Sequence, residues 1–132
     1  MPSVPITISG KEYHLRYTYP DFKGMENSLG IGYLHFVRPE IFSSLTAIEV
    51  FLWRGLKKET KAGEYIAAFE QDETGRAQVG ELLWSYLQET GDSQYLVGKI
   101  LESFTTTGPF RKPKPEEKEK PTKETKPKNL KT

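Results

Sequence analysis

Apolar and polar positions alternate at the start of the chain: Ile6, Ile8, Tyr13, Leu15 and Tyr17 are interleaved with Thr7, His14, Arg16 and Thr18 around Ser9-Gly10-Lys11-Glu12. Period-two alternation about a glycine-containing turn predicts a β-hairpin, residues 4 to 9 and 12 to 19. Two strands alone are marginal, so their apolar face is expected to rest on the helices downstream. The period then changes. Pro20 suits a first helical turn, and Phe22, Met25 and Leu29 mark one face of a short helix, about 20 to 29, closed by Gly30. Residues 30 to 37 are apolar but carry Gly30 and Gly32 and run into Pro39. They predict a loop packed on the core, with one turn after it at 39 to 43.

Thr46 with Glu49 fits a capping box, and Ile48, Phe51, Leu52 and Leu56 recur at helical spacing, which predicts a central helix over about 46 to 58. Tyr65, Ile66 and Phe69 suggest a short helix at 64 to 71, beginning near Lys61. Val79, Leu82, Leu83, Tyr86 and Leu87 form the stripe of a helix at 75 to 90, with Gly91 as a left-handed cap. Asp92 or Ser93 can cap a last helix carrying Leu96, Val97, Ile100, Leu101 and Phe104 and ending before Thr105. The pattern is that of an α+β chain, mainly helical: an N-terminal hairpin packed on about five short helices.

Composition changes the picture at Gly108. Arg111 to Thr132 hold no aromatic residue, four prolines and one aliphatic residue, Leu130. Such a segment cannot bury enough apolar surface to offset its ordering entropy, and is expected to be disordered. The chain thus divides into a folded domain, 1 to 108, and a Lys/Pro/Glu-rich tail, 109 to 132. The tail has nine basic and four acidic residues, net +5, and the body ten basic and fourteen acidic, net −4. The overall charge of +1 therefore conceals an acidic body and a basic arm.

Candidate chemistry is sparse. With no cysteine and two histidines, His14 and His35, the chain offers no disulfide, no thiolate site and no three-histidine metal site. Gly30 and Gly32 lack the third glycine and the Lys-Ser/Thr pair of a phosphate loop. No cofactor, metal or catalytic residue is assigned, and an enzyme is not expected. The N-terminus lacks the basic and apolar regions of a signal peptide, and no apolar run approaches the ~20 residues of a spanning helix. These features predict a soluble protein of the cytoplasm.

Aromatic residues point instead to binding. Tyr33, Phe36, Phe42, Phe51, Trp53, Trp84 and Tyr86 are many for a small body, and core filling explains most of them. Trp53 and Trp84 each stand about 100° from the main apolar stripe of their helices, within reach of the surface. Tyr33, Phe36, Trp53, Trp84 and Tyr86 are the candidate partner-binding residues.

The opening Ile6-Thr7-Ile8-Ser9-Gly10-Lys11-Glu12-Tyr13-His14-Leu15-Arg16-Tyr17, the helix with Met25-Glu26-Asn27-Ser28-Leu29-Gly30, and Leu52-Trp53-Arg54-Gly55-Leu56 stand in an order and spacing that carry a resemblance. Across about residues 4 to 104 the chain resembles the small tail assembly chaperones of long-tailed bacteriophages and the related proteins of gene-transfer-agent and prophage tail clusters. The resemblance implies a non-enzymatic assembly factor whose partners are the tape-measure protein and the tail-tube protein, acting in the cytoplasm of a bacterial host, with self-association through a hairpin edge or a helical face. Two alternatives stand beside it. One is a structural tail or tail-tube component, and the other a nucleic-acid-binding accessory protein using the basic arm. Interrupting glutamates, an acidic body and the lack of a stacking aromatic in residues 111 to 132 count against the last.

Overall fold

The computed structural model describes residues 2 to 110, and the expected tail from Arg111 onward lies outside the described residues. Strands β1 (Val4–Ile8) and β2 (Lys11–Leu15) form the expected hairpin, turned by Ser9 and Gly10, both at positive φ. Val4, Ile6, Ile8, Tyr13 and Leu15 face inward and are buried, as their alternation requires. Four helices come next among the described residues: α1 (Tyr19–Leu29), α2 (Leu45–Gly55), α3 (Glu73–Thr90) and α4 (Ser93–Thr107). Two 3₁₀ turns, Tyr33–Val37 and Pro39–Ser43, join α1 to α2.

The sheet is larger than the hairpin predicts. Strands β3 (Leu56–Glu59) and β4 (Tyr65–Ala67) extend it to four antiparallel strands in the order β1-β2-β3-β4. Two expectations are thereby corrected. The central helix ends at Gly55 rather than at 58, and the helix expected at 64 to 71 is a strand and a turn, leaving four helices where five were expected. Each has a structural cause. A Cβ at residue 55 would overlap the Tyr17 ring, so only glycine fits, and the Gly55 carbonyl accepts the Arg16 N–H at 3.0 Å. That bond draws the chain out of α2 into the sheet, where Leu56 pairs with Leu15. Thr60 and Gly63, the latter at φ +84°, then turn β3 back into β4, and Lys58 pairs with Ile66.

Helix α2 is the centre of the molecule, with Ala47, Ile48, Val50, Phe51, Leu52 and Trp53 all buried. Its N-cap is Ser44, whose Oγ accepts the Ala47 N–H at 3.1 Å, instead of the expected Thr46/Glu49 box. Glu49 turns outward to Arg76 of α3 at 2.8 Å. Helix α4 covers the hairpin, where the Thr7 N–H donates to the Tyr95 hydroxyl (3.1 Å) and Ser103 Oγ donates to the Leu15 carbonyl (3.1 Å). It runs two residues past Thr105 because the Thr105 and Thr107 hydroxyls donate to carbonyls of the preceding turn, while Thr107 Oγ accepts the Tyr17 N–H. Beyond Gly108 the chain folds back, placing the Phe110 ring 5.6 Å from Tyr33 and 6.2 Å from Phe22.

One ion cluster lies inside this frame. Asp21, at the start of α1, accepts the Thr18 N–H at 2.9 Å and the Lys57 ammonium at 3.0 Å, with Arg54 at 3.4 Å. The Lys57 ammonium also donates to the Arg54 carbonyl at 2.8 Å. Both Asp21 and Lys57 are buried, so the pair fixes where β3 lies against α1.

Candidate functional site

The five residues expected to bind a partner do not converge. Phe36 is fully buried against Phe22 and Phe51. Trp53 is only 9% exposed; its indole N–H donates to the Glu70 carbonyl at 2.9 Å, and Gln71 donates to the Trp53 carbonyl at 3.1 Å. Tyr86 is buried on the inner face of α3. The surface position expected for Trp53 is therefore corrected. Helix α2 has no single inward stripe, because the sheet on one side and the segment 68 to 71 on another enclose it almost completely.

Tyr33 and Trp84 remain at the surface, on different grooves. The first groove, about 560 Å³, is lined by Tyr17, Tyr19, Phe22, Tyr33 and Pro109, with Lys23 and Glu26 at its edge. Tyr19 is 76% exposed and Tyr33 39%. The Tyr33 N–H donates to the Glu26 carboxylate at 2.9 Å, which fixes the start of the 3₁₀ turn against α1. Leu34 and Val37, on the same turn, are exposed as well. The groove opens beside Phe110, at the point where the chain leaves the described body.

The second groove, about 600 Å³, lies between the start of α2 and the outer face of α3. Trp84 is 54% exposed there, facing Leu45 at 50%. Helical geometry accounts for this. Gly75, Val79, Leu83 and Tyr86 face the core, so Trp84, one residue past Leu83, turns about 100° away. Tyr19 and Leu45 are surface residues that the sequence pattern does not single out, whereas Leu34 and Val37 belong to the apolar segment 31 to 37. The usable signal is their place at element starts and in 3₁₀ turns, where part of each residue's circumference has no neighbour.

Among the titratable groups, Tyr17 and His14 are held by contacts within the fold. Tyr17 is enclosed, and its hydroxyl donates to the Phe51 carbonyl at 2.7 Å. Burial first, and the neighbouring Asp21 carboxylate second, push its pKa well above the ordinary tyrosine value. His14 sits at 3.1 Å from Ser3 Oγ and packs on Tyr65, whereas His35 is solvent-exposed. Among the described residues, no three of His, Asp and Glu gather closely enough to hold a metal ion, and no helix is long and apolar enough to cross a membrane. No protein-family model, curated protein or solved structure matches the chain.

Proposed function

We propose that this protein is a tail assembly chaperone of the long-tailed phage type, which holds the tape-measure protein soluble and helps recruit tail-tube subunits without remaining in the finished tail. The reading rests on the order of motifs in residues 4 to 104. The structural observation that supports it is the pair of open apolar grooves, Tyr19/Tyr33 and Leu45/Trp84, on a small body whose other large side chains are mostly enclosed. Exposed aromatic side chains set in grooves and ringed by charge suit the reversible capture of apolar segments of a client. An acidic body keeps such a complex soluble. The work is done in the cytoplasm of the bacterial host, before the tail is complete.

The test is co-expression of the tagged protein with its neighbouring tail genes, and then identification of the proteins that co-purify. Recovery of a long, helix-rich tape-measure protein that is insoluble alone supports the chaperone reading. Persistence of this chain in purified tails would make it a structural component. Recovery of nucleic acid, lost steeply with salt, would support the accessory-protein alternative.

A further inference from the structure

We infer that the Leu45/Trp84 groove is a docking site for one basic amphipathic helix of a partner protein. The walls are apolar: the Trp84 indole on α3 faces Leu45 at the first position of α2, and the buried Leu83 closes the base. The floor is low, because Ala77 and Gly80 bring no bulk to the face that Trp84 shares with them. Glycine inside a helix costs about 1 kcal/mol relative to alanine. Here it has a specific use. A Cβ at residue 80 would stand 2.6 Å from Glu49 Oε1, so Gly80 lets that carboxylate lie against the α3 backbone while Arg76 holds it from the other side at 2.8 Å.

Charge selects the occupant. Glu49 and Glu81 line the groove and Glu73 lies on the same face of α3, whereas no lining residue is basic. Arg76 stands beside the groove already engaged with Glu49. A negative rim about an apolar centre fits a segment that carries Lys or Arg on either side of an apolar stripe, and repels nucleic acid and acidic peptides. The floor is a helix whose backbone groups are satisfied internally, so it offers no ladder to an added strand. From Ala77 to Trp84 the floor is about 10 Å long, two helical turns, with its large apolar side chains at the Leu45 and Trp84 end, which suits an occupant that sets apolar residues at i and i+3 or i+4 there and a basic residue beside Glu81. This assignment deepens the reading given above, in which this groove captures segments of a client, by naming the class of segment it takes; the peptide titration below can fail while the co-purification succeeds.

Trp84 reports on its own groove, since the second tryptophan, Trp53, is enclosed. The full-length protein is titrated with three tryptophan-free peptides, and acrylamide quenching of its fluorescence is monitored. The probes are a Leu/Lys amphipathic helix of about five turns, its Leu/Glu counterpart with the leucines in the same places, and a peptide of residues 111 to 132. The Leu/Lys helix is expected to shield Trp84, the Leu/Glu helix to leave it quenchable, and Glu81→Lys to weaken the shielding by about tenfold. Glu81 is exposed, so a circular dichroism spectrum matching the parent verifies that this variant folds. Equal shielding by both helices, shielding by neither, or Leu/Lys binding seen calorimetrically without shielding of Trp84 would overturn the assignment. Tighter shielding by the 111 to 132 peptide would overturn it too, because the occupant would then be the chain's own basic segment.

Discussion

Tyr17 joins three elements through one residue. Its N–H is held by Thr107 of α4, its hydroxyl by Phe51 of α2, and its ring fills the space that a side chain at Gly55 would need. Tyr17→Phe keeps the ring but leaves the Phe51 carbonyl without this donor, and is expected to cost about 1–2 kcal/mol in urea unfolding. The hydroxyl also sets an alkaline limit. In the unfolded chain Tyr17 loses its proton near pH 10, while in the folded protein it keeps the proton to higher pH. The unfolded state therefore binds fewer protons above that point, so stability is flat with respect to this group below about pH 10 and falls above it. Tyr17→Phe should flatten that limb, leaving a smaller slope from Tyr13, whose pKa burial also raises. Trp53 and Trp84 differ in the same concrete way. Trp84→Phe should change stability by no more than about 0.5 kcal/mol and remove most acrylamide-quenchable emission, whereas Trp53→Phe should leave emission that quenches readily. The exposure of Trp84 was legible from helical spacing because α3 buries one stripe. The burial of Trp53 was legible only in part: its place beside the main stripe pointed to the surface, whereas α2 is apolar over most of its circumference, the mark of an enclosed helix.

At the scale of elements, the hairpin and all four helices could be read from periodicity and caps, and the outer half of the sheet could not. Leu56-Lys57-Lys58-Glu59 shows no alternation of hydrophobicity, because Lys57 is a buried residue disguised by its charge. Its place in the sheet depends on Asp21, 36 residues earlier, a contact that no local window contains. Tyr65-Ile66-Ala67 is too short to declare a period, and Tyr65, Ile66 and Phe69 fit helical spacing as well. The buried pair yields a prediction. Asp21→Ala leaves the Lys57 ammonium without its carboxylate and removes the acceptor for the Thr18 N–H, and should destabilise by about 3–5 kcal/mol in thermal or urea unfolding. Lys57→Met, which leaves Asp21 its partner Arg54 and its bonds to Thr18, should cost less. Gly55→Ala forces the Tyr17 ring from its place and should cost about 1–3 kcal/mol. The two grooves belong to this scale as well. Each lies where a helix terminus or a 3₁₀ turn meets the flank of another helix, so neither can be derived from one element's pattern alone.

For the molecule as a whole, sheet and helices share one core, with α4 bonded to β1 and β2 and α2 contacting every layer. Unfolding is expected to be a single transition in which Trp53 fluorescence and far-ultraviolet circular dichroism coincide. Separated transitions would mean that β3 and β4 melt apart from the hairpin. The bonds that close the core also set a schedule. Thr7 reaches Tyr95, Leu15 reaches Ser103, and Tyr17 reaches Thr107, separations of 88 to 90 residues. At about 5–20 residues per second, the first seventeen residues are synthesised on the order of 5–20 s before the helix that covers them. During that interval Ile6, Ile8 and Leu15 have no α4 to shelter them, and a nascent chain stalled before residue 93 would carry its sheet uncovered. Slow translation between residues 20 and 100 should therefore lower the abundance of the protein in the cell by prolonging that exposure.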